Sequence, residues 1–218
     1  VRAFIREKAA PYAEAMRTDA LGNLIVFKKG AKATGNKLML TAHMDEVGFI
    51  VNDITEDGYL KFAPVGGIDP RVVIGKRVSV GLGRVQGAIG LKAYHLVSAE
   101  EEKNVPKFED MYIDIGARDR ADAEAAVSLG ALVAFESDAV EFGYGMFKAK
   151  AIDDRVGCAV MLKLLEEELP MDCTFVFSTQ EEVGTRGAFG AAFSVTPEIA
   201  LVLEGTTAAD LPGTDSHR

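Results

Sequence analysis

Ser178 to Ala188, STQEEVGTRGA, sets two adjacent carboxylates, Glu181 and Glu182, between an apolar run and a glycine-bearing turn into an alanine-rich segment. The run before it, Cys173-Thr174-Phe175-Val176-Phe177, is β-branched and aromatic, too short for a helix, and follows Pro170, so it reads as a buried strand leaving a helix. Open α/β sheets collect ligands and chemistry at the carboxyl ends of their strands, which is where the two acids fall. Successive side chains in extended backbone point opposite ways, so neighbouring glutamates would do different jobs, for example one metal ligand and one general base. Taken by itself, the stretch also suits a solvated loop with surface acids.

Working outward, the helical period precedes this strand and returns after it. Asp153-Asp154-Arg155 opens a segment, Val156 to Leu169, in which Val156, Val160, Leu164, Ala159 and Leu162 predict one buried stripe. A helix over Gly187 to Phe193 and a strand over Ile199 to Leu203 follow, and Glu204 ends that strand. Strand and helix thus alternate, which predicts an α/β fold. Nearer the start, Val1 to Arg17 carries Ala3, Phe4, Ala9, Tyr12 and Met16 at helical spacing, with Pro11 a kink or a break. Gly22 to Phe27 and Lys37 to Ala42 read as strands, and the second ends in the charged cluster His43-Met44-Asp45-Glu46. Glu56-Asp57-Gly58 is a hairpin turn signal between Gly48 to Ile54 and Tyr59 to Ala63.

After Val65 the texture becomes short β-rich pieces, over Arg71 to Ile74, Arg77 to Val80, Arg84 to Ile89 and Tyr112 to Ile115, with one short helix from Asp119 to Leu129. Residues 65–148 are therefore expected to form a small barrel-like or sandwich domain inserted into an α/β domain made of residues 1–64 and 149–218. The glycines at 81, 83, 87 and 90 have the wrong spacing for a dinucleotide fingerprint.

The chain has 218 residues, 48% hydrophobic and 26% charged, enough for a sizeable core. A net charge of −9 without a Lys/Arg cluster argues against nucleic-acid binding. No apolar run reaches membrane-spanning length, so no membrane partner is expected. Cys158 and Cys173 fall in apolar elements and read as buried reduced thiols, which suits a cytoplasmic setting. The chain begins mid-pattern and stops at Asp215-Ser216-His217-Arg218, so it reads as a piece of a longer protein.

One arrangement recurs four times, an apolar element that terminates in carboxylate or imidazole: His43 with Asp45, Asp153 with Asp154, Glu181 with Glu182, and Glu204. Each has an ordinary structural explanation; an Asp before a helix, for instance, is usually its N-cap. Folded onto one sheet edge, however, they would gather several like charges that only a multivalent cation could neutralise. One imidazole with several carboxylates suits Zn²⁺, Co²⁺ or Mn²⁺, and a shared carboxylate would suit a dinuclear hydrolytic site.

The motifs AHMDEVGF, AIDDRVG, STQEEVG and LEGTTAAD stand in the order found in the dinuclear metalloaminopeptidases of the tetrahedral and glutamyl aminopeptidase family, which the chain resembles throughout; some members carry a glucanase label. That resemblance implies a zinc-peptidase-like catalytic domain, a mixed sheet flanked by helices, interrupted by a β-rich domain. By motif, His43 resembles the histidine ligand of one metal and Asp45 the acid that orients it. Asp153 resembles the bridging carboxylate, Glu182 a ligand of the second metal and Glu204 the terminal carboxylate of the first. Glu181 resembles the general base that takes a proton from the attacking water. Asp154 resembles an adjacent structural acid. The family's further histidine ligand would lie beyond this sequence, because His217 follows Glu204 too closely and His95, inside the inserted domain, reads as structural.

The implied function is a metal-dependent aminopeptidase that uses two divalent ions, Zn or Co with Mn also admitted, to release N-terminal residues from short peptides, and that forms homo-oligomers when intact. A glycoside hydrolase would also use paired carboxylates, but the sequence has no Trp and His43 would have no role. A binding or assembly module working through the β-rich insert is the alternative from a different class, motivated by the missing histidine.

Overall fold

The computed structural model describes residues 1–33, 37–206, 208 and 212–213. In chain order the elements are α1 (Arg2–Ala9), β1 (Ala15–Thr18), β2 (Leu24–Lys28), β3 (Leu38–His43), β4 (Gly48–Ile54), β5 (Leu60–Val65), β6 (Arg77–Val80), β7 (Val85–Gly90), β8 (Tyr112–Asp114), α2 (Arg120–Ala126), β9 (Leu132–Phe135), β10 (Val140–Phe142), β11 (Met146–Lys148), α3 (Ile152–Glu166), β12 (Cys173–Ser178), α4 (Arg186–Val195) and β13 (Ile199–Val202). Among the described residues, no helix is long and apolar enough to cross a membrane.

The chain divides into two compact units, Val1–Asp45 with Ala151–Arg218, and Glu46–Lys150. The first is a mixed α/β unit built on a five-stranded sheet in the order β1-β2-β12-β3-β13. Strands β3, β12 and β13 run parallel, β2 runs antiparallel to β12, and β1 antiparallel to β2. In β12 the residues Phe175, Val176 and Phe177 are all fully buried. Alternation explains how consecutive residues achieve this. Phe175 and Phe177 join Leu24, Val26, Leu40 and Ala42 on one face, covered by Ile5 and Ala9 of α1 and by Cys158, Met161 and Leu165 of α3. Val176 joins Ile25 and Met39 on the other face, covered by Ala191 of α4. A strand covered on both sides has no polar face, which is why its sequence is a continuous apolar run.

The second unit is a closed barrel in the order β4-β5-β8-β7-β6-β9, with the two-stranded ribbon β10-β11 beside it in sequence. Phe49 is fully buried at its centre, and its ring meets Phe62, Phe135 and Phe108 at centroid distances of 4.8, 5.3 and 5.8 Å. Asp119 caps α2 by accepting from the Asp122 amide.

The structure corrects several expectations. The division falls after Asp45, not after Pro64, because the Gly48–Ile54 and Leu60–Val65 hairpin supplies two staves of the barrel. Closing a six-stranded barrel removes sheet edges, and that gain is invisible to a local texture change in the sequence. The helical pattern over Val1 to Arg17 ends at Ala9: a 3₁₀ turn takes Ala10–Tyr12, and Met16 lies in β1, paired with Val26. The buried positions of α1 are Ile5 and Ala9, whereas Phe4 and Tyr12 are exposed. Arg71 lies in a 3₁₀ turn at Pro70–Val72, where Asp69 accepts from its amide, so no strand forms there. Strands β9, β10 and β11 were not expected. In α3 the buried stripe is Gly157, Cys158, Met161 and Leu165; Val156 and Val160 are exposed. That helix is apolar on more than one face, so periodicity alone does not choose the buried side.

Candidate metal centre

The register of the parallel strands decides what meets at the sheet edge. Ser178, the last residue of β12, lies opposite His43, the last residue of β3, and Val202 of β13 lies opposite Thr41. Leu203 then donates its amide to the Thr41 carbonyl. His43, the Glu181-Glu182 pair and Glu204 therefore all emerge at the carboxyl ends of three adjacent strands.

The fourth contribution comes from the start of α3. Its first residues, Asp153 and Asp154, have non-helical backbone angles and the peptide between them is cis. Asp154 is completely buried and accepts from the His43 amide at 3.1 Å and the Gly157 amide at 3.0 Å. Cys158 Sγ contacts the His43 carbonyl oxygen at 3.2 Å. These contacts fix which side of α3 faces the sheet. They leave Asp153 aimed at the imidazole.

His43 is 2% exposed. Its Nε2 lies 3.1 Å from Asp153 Oδ1, 3.5 Å from Glu204 Oε1 and 3.8 Å from Glu181 Oε2. Its Nδ1 lies 3.6 Å from Asp45 Oδ1, an ion-pair separation too long for a hydrogen bond. Asp45 in turn accepts the Glu181 and Glu182 amides at 3.3 and 3.2 Å. One carboxylate thus braces both the imidazole and the loop that carries the paired acids.

The electrostatics follow from that crowding. Burial by itself would lower the pKa of His43, but Asp45, Glu204 and Asp153 outweigh it and raise the value to about 9. Burial also works against the Asp45 carboxylate, yet its His43 neighbour and the Glu181 and Glu182 amides hold its pKa below the usual range. Burial raises Glu182, with Glu181, Asp153 and Asp45 adding repulsion against the attraction of His43. Burial raises Glu204 as well, with the Asp153 carboxyl beside it contributing. Burial raises Asp154 despite its two backbone donors. The cluster is short of positive charge.

Ligand atoms of His43, Asp153 and Glu204 all lie within 4.8 Å of one another. A tetrahedral cation held at about 2.0–2.2 Å by nitrogen and oxygen needs ligand atoms roughly 3–4 Å apart, and the 3.1 and 3.5 Å separations meet that requirement. The donor set suits Zn²⁺, Co²⁺ or Mn²⁺. Glu181 and Asp45 stand beside this group, whereas Glu182 lies outside it. His95 is exposed on a 3₁₀ turn of the barrel unit, and His217 lies outside the described residues. Three residues flanking these segments, Ala151, Gln180 and Thr185, have positive φ (54, 59 and 55°), conformations that cost on the order of 1–3 kcal/mol each and often gather at functional sites.

The family model for the M42 glutamyl aminopeptidases matches residues 22–218. The chain belongs to that family. A protein of Acetivibrio thermocellus, provisionally named an aminopeptidase, is 42% identical over all of this chain and 63% of its own length. The structure of a TET aminopeptidase from the marine sediment archaeon Thaumarchaeota archaeon SCGC AB-539-E09 superposes with a TM-score of 0.93 at 36% identity, over all of this M42 chain and 63% of that one. A Pyrococcus horikoshii TET1 peptidase that can assemble into a tetrahedron or a large octahedral shell matches with a TM-score of 0.83 at 31% identity, covering 97% of this chain and 66% of that one. The M42 chain thus spans about 63% of the curated relative's length.

Sequence reasoning overlooked Asn23, which is fully buried beneath the Glu181-Glu182 loop. Its only local signal is the sequence Asp19-Ala20-Leu21-Gly22-Asn23, a polar turn entering a strand.

Proposed function

We propose that the intact protein is a metal-dependent aminopeptidase that hydrolyses the N-terminal residue from short peptides. The carrying observation is the convergence of His43, Asp153 and Glu204 ligand atoms within 4.8 Å, with the Glu181 carboxylate 3.8 Å from the same imidazole nitrogen. In this reading His43, Asp153 and Glu204 would hold a divalent cation, and Glu182, with Asp153 shared, would serve a second. The two ions, zinc or cobalt with manganese also suited, would polarise the scissile carbonyl and lower the pKa of the attacking water. Glu181 takes the proton from that water and passes it to the leaving amine. Asp45 holds the His43 ring and the Glu181 backbone in one frame, so that base and ligand keep a fixed separation.

Membership of the M42 family supports peptide as the substrate class, and the assemblies formed by the Pyrococcus horikoshii relative support a homo-oligomer for the intact protein. Two buried free thiols fit a reducing, cytoplasmic setting. In the full-length protein, Glu181→Gln is expected to lower turnover on the order of 10²–10⁴-fold while leaving bound metal unchanged. Metal analysis alongside aminoacyl-anilide hydrolysis checks this. Turnover close to the parent rate would remove Glu181 from the role of base.

A further inference from the structure

Glu181 and Glu182 sit in the middle of a loop whose two ends are tied together. The Gly187 amide donates to the Thr179 carbonyl at 3.0 Å, and the Arg186 amide to the Gln180 carbonyl at 3.1 Å. Asn23, fully buried, lies against both ends: its Oδ1 accepts from the Thr179 amide at 2.9 Å, and its Nδ2 donates to the Gly187 carbonyl at 2.9 Å. The same Nδ2 donates to Asp19 Oδ2 at 2.7 Å, and Asp19 Oδ1 accepts from the Asn23 amide at 3.0 Å. The orientation of the carboxamide is thereby fixed, since a backbone N–H faces its oxygen while a carbonyl and a carboxylate face its nitrogen.

We propose that Asn23 is a positioning residue for catalysis, clamping both ends of the Thr179–Gly187 loop so that Glu181 is presented at the metal centre. Only an amide serves here. An aspartate offers no donor to the Gly187 carbonyl, and an apolar residue leaves a buried amide and a buried carbonyl without partners. Space imposes the same demand from the other side. A Cβ on Gly187 would lie 2.0 Å from the Thr179 carbonyl oxygen and 2.4 Å from Asn23 Oδ1. Asn23 immediately precedes β2, whose Leu24 pairs with Phe177 of β12, so the sheet itself sets the clamp at the point where β12 leaves for the site. Asp45 holds the middle of the loop through the Glu181 and Glu182 amides. Two independent holds on a nine-residue loop leave its acids little freedom.

The inference rests on the aminopeptidase reading, and a double-mutant cycle in the full-length protein separates the two. At saturating Zn²⁺ or Co²⁺, Asn23→Ala is expected to lower kcat on the order of 10²-fold with KM little changed, the scale of a misplaced catalytic group. In the Glu181→Gln background the same substitution should change the residual rate no more than about twofold, because the group it positions is already gone. Equal fold-losses in both backgrounds, or an unchanged kcat for Asn23→Ala, would overturn the positioning role while leaving Glu181 as base. A Glu181→Gln protein at the parent rate overturns the base assignment first and the clamp's purpose with it. Circular dichroism establishes that each variant is folded. Asn23→Ser, which keeps a smaller polar group at the site, provides the same cycle if the alanine variant does not fold.

Discussion

The barrel unit and the sheet unit treat their charges in opposite ways. On the barrel, carboxylates sit beside guanidinium groups: Arg71 with Asp69, Arg84 with Glu136, Arg118 with Asp122, and Arg120 with Glu56. At the edge of the sheet, Asp45, Asp153, Glu181 and Glu204 all converge on one buried histidine. Exposed pairs are screened by water and contribute little in either direction. The acids gathered around His43 have no guanidinium partner in these contacts; they share one buried imidazole, and although Asp153 and Glu204 remain open to water, a cation would offset their mutual repulsion. The difference separates a surface with paired charges from a cluster short of positive charge.

The most severe tests remove the cores beneath each arrangement. Phe175→Ala in the sheet unit and Phe49→Ala in the barrel should each cost about 3–5 kcal/mol, because both rings are fully buried. Denaturant unfolding reads this, and a loss well under 1 kcal/mol would mean that the packing is looser than the structure shows. Next comes the acid that braces imidazole and loop. In the full-length protein Asp45→Asn should lower metal affinity or activity about 10–100-fold, the usual scale for a group that orients a ligand. An unchanged metal titration together with unchanged turnover would break the contrast between the two units.

A smaller effect concerns the thiols. Burial pushes the Cys158 thiol up to about 12, with Asp154 adding repulsion, and burial pushes Cys173 up to about 11. Since the thiolate is the reactive form, alkylation of the folded protein at pH 8 should be slow and should become rapid in denaturant. Rapid labelling of either cysteine in the native protein would contradict its burial. The smallest effect is expected at the barrel surface. Arg71→Ala removes the pair with Asp69 but keeps the backbone amide that Asp69 caps, and it should leave the melting temperature within experimental scatter, despite a carboxyl held at about 2 by the Arg71 side chain and amide.

Legibility in the sequence followed the range of the interactions. The strand at Cys173–Ser178 and the acids beyond it are local: a β-branched apolar run cannot be solvated, and charged residues at its end cannot be buried within it. The hairpin around Glu56-Asp57-Gly58 was equally legible, since its turn residues act over four positions. Helical spacing places Met16 with the first helix, yet its strand exists only through pairing with Val26, a partner that such spacing does not register. The face of α3 was misplaced for a related reason. Asp154 and Cys158, held to the His43 backbone, choose it against a nearly uniform apolar background.

The sequence by itself determined that apolar strands end in acids and a histidine, because periodicity, turn chemistry and charge are carried by residues close together in the chain. It also carried the family motifs. Only the tertiary structure decided that His43, Asp153 and Glu204 share one point, that Asp45 braces imidazole and loop together, and that Asn23 lies beneath them. The contacts that tie His43 to Asp153, Asp45 to Glu181 and Asn23 to the loop join residues 110 to 164 positions apart, and they depend on the register of β2, β3, β12 and β13, which hydrogen bonding across the sheet fixes and no local pattern encodes.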